Sequence, residues 1–510
     1  MNRRNFIAGA AGALTFSGAI AAETVAETAA AEATDPVFKA FADALPQHSW
    51  QMGYEGLQAD AAPMTLSLRG QMPRGLRGAL YRNGPSRHSI GGVRYHHLFD
   101  GDGMVQKYEI TDAGITHRGK FVRTEKFIAD SKAGKPVRQT FGTNPPDAQP
   151  ITGPDSLNVA NTSVVSHGGE LMALWEGGSA IKLDAQTLDT LGPKVLSPEY
   201  AGMAFSAHPK IERDGTLWNF GVTSHLGLLS VYRIAPSGEV LKTETIKVRD
   251  IAMVHDFAVT EQHLVFLLPP LVFDRDRARS GETFLDCHVW KPQLGMRVLV
   301  LPKDHLDQPQ WFDLPAGFVF HVGNAWEDTT AGTIRLDYIR SPDAWSPLHG
   351  LRDVMSGRFE RTGNAGIAFV GLNLKTGRAN QTLVNQETEF PRVDPRVVGV
   401  KHSQLFTTLR LDTGPRPGFD AVMRMDVASG KTDRYRYGTD VMVEEHVFVP
   451  KPGGSGKEGD GWLVGTALDL KKKAMLLSVF DAMHLSKGPI AQATMDRVMP
   501  LGFHSIFVGA

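Results

Sequence analysis

The sequence predicts an all-β protein built from a repeated strand–turn–strand unit, the pattern of a β-propeller. Three observations carry that expectation. From about residue 46 onward no segment has the periodicity of a long amphipathic helix. Short runs alternate apolar and polar residues and stop at Gly, Asp, Asn or Pro, as in GTLWNFGVTS, HLVFLLPPLVF and GWLVGTALDLKKKAMLLSVFDA. The 53 glycines and 30 prolines of the 510-residue chain supply the turns between them.

IKLDAQTLD, LNLKTGRAN and MDVASGKTD share a detail: each places a turn after a strand that ends in a polar residue. About 460 residues over seven blades gives roughly 65 per blade, more than the ~40–50 of simple propeller repeats, so long loops are expected. Long loops on a rigid propeller are a place to build a cap over a site. The periodicity leaves a β-sandwich or a two-domain β protein open.

The N-terminus has a different character. Arg3 and Arg4 precede about fifteen apolar or small residues and then Ala19-Ile20-Ala21, an A-x-A cleavage pattern. The apolar stretch is too short and too rich in Gly and Ala to span a bilayer. Residues 1–21 are therefore expected to be an export signal of the twin-arginine type, with a plain Sec signal the alternative, 22–45 a linker, and 46–510 a single propeller domain. The expected location is a bacterial periplasm, reached through the twin-arginine machinery.

Composition excludes several classes. The net charge is −1, and removal of the signal takes away two arginines and gives −3. Neither value gives an electrostatic reason to bind nucleic acid. Cys287 is the single cysteine, so there is no intramolecular disulfide and no zinc–thiolate cluster.

Of the 18 histidines, four stand out by context: His208 in SAHPKI, His255 in MVHDFAV, His321 in FVFHVGNAWED and His504 in GFHSIFV. Each follows small or apolar residues, and they lie 47, 66 and 183 positions apart. No local ligand spacing joins them, so a shared site has to be assembled by the fold from separate strands. Four neutral imidazoles suit a divalent transition metal but leave its charge uncompensated. Carboxylates accepting the other ring N–H are then expected. Glu176 in LWEGG, Glu389 in ETEFPRVDPR and Glu445 in VEEHVFVP are candidates.

Taken in order, LYRNGPSR, YHHLFDGDGMVQKYEI, NVANTSVVSHGGELMALWEGG, MVHDFAVTEQHLVF, EFPRVDPR, EEHVFVP and GFHSIFV resemble the successive signatures of the carotenoid cleavage oxygenases, over nearly the whole mature chain. The resemblance implies a seven-bladed β-propeller with long loops capping an axial iron(II), one per chain. It implies His208, His255, His321 and His504 as iron ligands, with Glu176, Glu389 and Glu445 supporting three of them. His446 stands where family members often have proline, and Glu444 offers a competing carboxylate one position before Glu445.

The implied reaction is oxidative cleavage of a conjugated C=C bond with O2 as co-substrate, giving two carbonyl products and using no catalytic residue beyond the iron centre. The expected substrate is an apolar polyene, a carotenoid or apocarotenoid. A phenolic stilbene is the alternative, with Tyr95 and Lys126 as phenol-binding candidates. Phe205, Phe257, Phe320 and Phe503 are candidate tunnel walls, each within three residues of an implied ligand. A small apolar patch for peripheral membrane contact is expected near the tunnel mouth. The visual-cycle isomerase chemistry and a non-catalytic terpenoid-binding propeller are the remaining readings.

Overall fold

The computed structural model describes residues 35–510 apart from 252, 362 and 364, so the export signal expected over 1–21 lies outside the described residues. Among the described residues, the strands form seven antiparallel sheets of four or five strands and two short two-stranded ribbons. The seven sheets are the blades of a β-propeller, as the sequence predicts. Most blades are meanders of consecutive strands, such as the one from Phe318–Asp328 through Thr333–Ser341 and Gly366–Asn373 to Arg378–Val384.

Both ends of the chain close the ring. Ser67–Gly70 is the outermost strand of the last blade, paired to Ala491–Met495. The C-terminal strand His504–Gly509 is the innermost strand of the first blade, paired to Gly78–Arg87 with Asn83 opposite His504. The last histidine is thus held in a sheet and not in a loose tail.

Packing between blades explains the sequence pattern. Middle strands are covered on both faces, so His263–Leu268 and Gly461–Asp469 are buried throughout and read as continuous apolar runs. Outer strands such as Arg378–Val384 meet solvent and alternate. The long connections expected from the residue count are present. They carry the helices Glu125–Ala133, Arg275–Arg279 and Leu351–Met355, and they contribute wall residues to one large cavity.

The linker expected over 22–45 is corrected at its C-terminal end. Pro36–Ala44 is a helix whose N-cap, Asp35, accepts from the Phe38 N–H at 2.8 Å. Its Phe41 is buried beneath the Arg94 guanidinium, 3.5 Å from the ring. Arg94 also donates to the Tyr54 and Met355 carbonyls and ties this helix to the domain. The Asp-Pro start and one buried aromatic form an interface too short for composition to separate from a solvated linker.

Buried histidines away from the axis set an acid limit. Burial pushes His97, His288 and His446 down to about 4 and His117 to about 3. These groups fold neutral and take up protons only on unfolding, so their contribution is complete above pH ~6.5 and falls as the pH drops toward 4. By pH 5 the loss is about 2 kcal/mol for each. His402 has the opposite sign, because Asp337 outweighs its burial and raises it. Thermal melts should show a clear fall in Tm between pH 7 and pH 5; an unchanged Tm would contradict the neutral burial of these rings.

Candidate metal centre

Each of the seven blades sends one of seven candidate residues to the axis. His504 opens the inner strand of the first blade, and Glu176 follows Glu170–Leu174 of the second. His208 and His255 precede the short inner strands Lys210–Ile211 and Phe257–Val259 of the third and fourth. His321 lies in Phe318–Asp328, Glu389 in Thr388–Arg392 and Glu445 in Val441–Pro450, the inner strands of the fifth to seventh.

Bulges aim the last three inward. Side chains of a regular strand alternate between faces, and one extra residue re-aims a chosen side chain. The register slips between Val319 and Val322, between Glu389 and Arg392, and between Val443 and His446. In the second of these Phe390 takes a left-handed φ of 55° beside Glu389. The third separates two consecutive carboxylates. Glu445 turns to the axis, whereas Glu444 pairs with Arg82 and accepts from Thr466 Oγ1 at 2.7 Å and the Gly502 N–H at 2.6 Å. His446 engages the Tyr437 hydroxyl at 2.9 Å and stays out of the site.

The hydrogen bonds settle which glutamate serves which histidine. His255 Nδ1 donates to Glu176, His321 Nδ1 to Glu389 at 2.6 Å, and His504 Nδ1 to Glu445 at 3.0 Å. Glu445 also takes the Arg392 Nε–H at 2.8 Å and the Ser505 N–H at 2.6 Å. Burial raises its carboxyl, but Arg392 and His504 outweigh that and hold it at about 2. Burial pushes His504 down to about 4 and His208 well below its usual value, while the Glu176 carboxylate overcomes burial and raises His255. Arg392 lies in a motif picked out from the sequence, yet nothing in its local context marked it as a partner of Glu445.

An imidazole that donates through Nδ1 presents a bare lone pair at Nε2. The Nε2 atoms of His321 and His504 are 3.1 Å apart, and those of His255 and His321 are 3.2 Å apart. His208 Nε2 is 2.9 Å from that of His255, and all four atoms lie within 4.8 Å of one another. Lone pairs converging in a buried place repel unless a cation sits among them. Donors about 2.1 Å from one ion and at right angles are about 3 Å apart, which is the spacing here. The donor set fits a divalent transition metal.

His255, His321 and His504 line a cavity of about 1870 Å3. Phe320 and Phe503 are on its wall, as expected; Phe320 lies edge-on to His255 with centroids 5.2 Å apart. The other tunnel candidates are corrected. Phe205 packs against Tyr232 between blades, and Phe257 stacks on Phe266 at 5.3 Å in the core. Both side chains pack between strands and not into the cavity, because His208 and His255 lie in irregular backbone just before their strands. Tyr95 and Lys126 are fully buried and are not wall residues either. Lys126 Nζ donates to the Tyr95 hydroxyl at 2.6 Å, Asp130 at 2.8 Å and Asp102 at 3.0 Å, a closed cluster that stabilises its charge. Phe99 and Phe390, on the wall beside the histidines, were not singled out from the sequence because neither neighbours a histidine of the set along the chain.

Comparison with known proteins agrees with this geometry. Residues 57–509 match the family model described as RPE65, retinal pigment epithelial membrane protein. The chain is 30% identical over 475 residues to the apocarotenoid-15,15'-oxygenase of Synechocystis, covering 89% of this chain and 95% of that protein. It is 28% identical over 485 residues to lignostilbene-alpha,beta-dioxygenase isozyme III of Sphingomonas paucimobilis, covering 89% and 95%. Cobalt-substituted Synechocystis apocarotenoid oxygenase superimposes with a TM-score of 0.82 at 29% identity, over 91% of this chain and 99% of that one.

Proposed function

Because the chain belongs to the retinal pigment epithelial membrane protein family of carotenoid cleavage oxygenases, we propose that it is a non-haem iron(II) dioxygenase that cleaves a conjugated C=C bond of a carotenoid or apocarotenoid. One atom of O2 goes to each carbon of the broken bond, giving two carbonyl products. The convergence of four imidazole lone pairs, three of them fixed by carboxylates, carries this reading. Bound there, ferrous iron supplies the site at which O2 is activated.

The chain's own residues do the rest. Glu176, Glu389 and Glu445 hold the Nδ1–H of their histidines, which fixes each tautomer and ring plane. Phe320, Phe503, Phe99 and Phe390 form an apolar surround that excludes water and holds a flat polyene against the histidines. The atom balance needs no protein acid or base, so none is assigned. All seven axial residues are in place, which counts against a non-catalytic terpenoid-binding propeller.

The cavity exceeds the roughly 300–1,000 Å3 of pockets for drug-sized molecules and favours a long polyene over a stilbene. The two residues expected to bind a phenol, Tyr95 and Lys126, point into their own ion cluster. Ile151, Leu226 and Phe284 are both wall residues and exposed, which suits a mouth that draws its substrate from a membrane surface. The Arg3-Arg4 signal supports export to a periplasm.

Mass spectrometry of aerobic incubations tests the substrate. Iron-loaded protein should shorten an apocarotenal to a smaller carbonyl pair and leave resveratrol intact. Hydroxybenzaldehydes from resveratrol, with the apocarotenal untouched, would move the protein to the stilbene group.

A further inference from the structure

Two aromatic arms leave the histidine cluster and end in opposite chemistry. Along one, Phe320 beside His255 is followed by Phe99 at 6.1 Å, Phe141 at 5.6 Å and Phe284 at 5.7 Å. This arm opens to solvent, and Phe284 is 46% exposed. Along the other, Phe390 lies 5.3 Å from His321 and 5.5 Å from His504, and Phe419 lies 6.1 Å further on.

Beside Phe419 the wall is charged: Arg410 donates to the Gly418 carbonyl at 3.4 Å. Arg410 is only 7% exposed, with its guanidinium 5.3 Å over the Phe359 ring and 3.7 Å from Glu387. Glu387 is paired in turn with Arg361 at 2.6 Å. Phe359, Arg361, Glu387 and Arg410 are on the wall of the same cavity as the histidines. Two guanidinium groups share one carboxylate there, and the neighbouring wall residue Glu360 is solvent-exposed. A hydrocarbon chain gives such a group no return for losing its water, whereas an oxygen atom does.

On the dioxygenase reading, we propose that the Arg361–Glu387–Arg410 cluster takes the oxygen-bearing end group of the polyene. The substrate is then read in one direction, and its distance from that end selects the bond held at the histidines. Guanidinium N–H groups donate to a carbonyl, hydroxyl or carboxylate oxygen, and Glu387 accepts from a hydroxyl. Arg410 also donates to the Asp412 and Gly414 carbonyls at 3.0 and 2.8 Å, so it braces its own loop. The test therefore rests on Arg361, whose replacement leaves those bonds in place.

The measurement uses iron-loaded protein kept free of O2, so that nothing turns over. Quenching of tryptophan fluorescence gives dissociation constants for an apocarotenal and for a hydrocarbon with the same number of conjugated bonds. The wild type should bind the apocarotenal about tenfold more tightly or better. Arg361→Met should narrow that ratio at least threefold and leave the hydrocarbon unaffected. Glu387→Gln should spare the aldehyde and weaken the matching alcohol. A wild-type ratio below threefold, a ratio that survives in Arg361→Met, or equal weakening of both ligands would overturn the proposal. Admitting air to the same samples reports cleavage separately, so failure of the dioxygenase reading is seen apart from failure of the end-group site.

Discussion

A chain ended at Pro500 should hold no iron and cleave no polyene. The cut removes His504 and with it the inner strand of the first blade, leaving the buried strand Gly78–Arg87 with an open edge. Glu445 loses both the His504 Nδ1–H and the Ser505 N–H and is left buried beside Arg392 alone. Such a protein will be hard to keep soluble, so His504→Ala is the sharper variant. It keeps the strand and removes a single donor. Removing even a supporting carboxylate of a metal ligand costs about 10–100-fold in affinity, so loss of a ligand should exceed about 100-fold. Metal analysis after gel filtration reads it. Full iron in His504→Ala would place the metal elsewhere.

Glu444→Gln should be among the most destabilising single changes in the domain, at about 3–5 kcal/mol. Glu444 and Arg82 are buried together, with side-chain exposures of 4% and 1%. The substitution leaves the guanidinium charged and without its carboxylate. The pair also holds the approach to the axis: Arg82 donates to the Pro500 carbonyl at 2.6 Å and Glu444 accepts the Gly502 N–H at 2.6 Å, so the two grip the residues just before His504. Chemical denaturation should show the loss in stability, and the iron affinity of whatever folds should fall with it. An Arg82→Met/Glu444→Leu double variant removes both charges and should recover part of the stability but not the affinity, because the grip on 500–502 is gone. Equal recovery of both would reduce the pair to a packing element.

The propeller was legible because its physics is local. Turn residues, alternating outer strands and doubly buried middle strands all leave their mark within ten residues of sequence. The site was legible only through resemblance. Four histidines at separations of 47, 66 and 183 carry no shared local pattern, since each blade contributes one residue and the ring closes only when His504 pairs beside Asn83. Bulges decide finer questions, and a bulge is invisible to a period-two reading. Glu444 and Glu445 are equivalent in sequence, and one extra residue between Val443 and His446 sends one to Arg82 and the other to His504. Proximity in sequence misled because His208 and His255 lie in irregular backbone just before their strands, where period-two alternation does not hold. Phe257 is two residues from His255 yet faces the core, whereas Phe390 and Phe99 are far from it in sequence and face the cavity. Lys126 looks like a surface lysine because Asp130, at i+4 on its own helix, reads as an ordinary helix pair, while Tyr95 and Asp102 reach it from elsewhere in the chain.

Iron stoichiometry combined with the electron paramagnetic resonance of the nitric oxide adduct, in the wild type and in His321→Ala, tests the centre most directly. His321 faces both His255 and His504 through Nε2, so its loss opens the ring of donors in the middle. The expected result is one iron per wild-type chain with a single S = 3/2 nitrosyl signal, and neither in His321→Ala at unchanged melting cooperativity. Wild-type protein without stoichiometric metal, or a variant that keeps both iron and signal, would contradict the four-histidine centre on which the proposed chemistry stands.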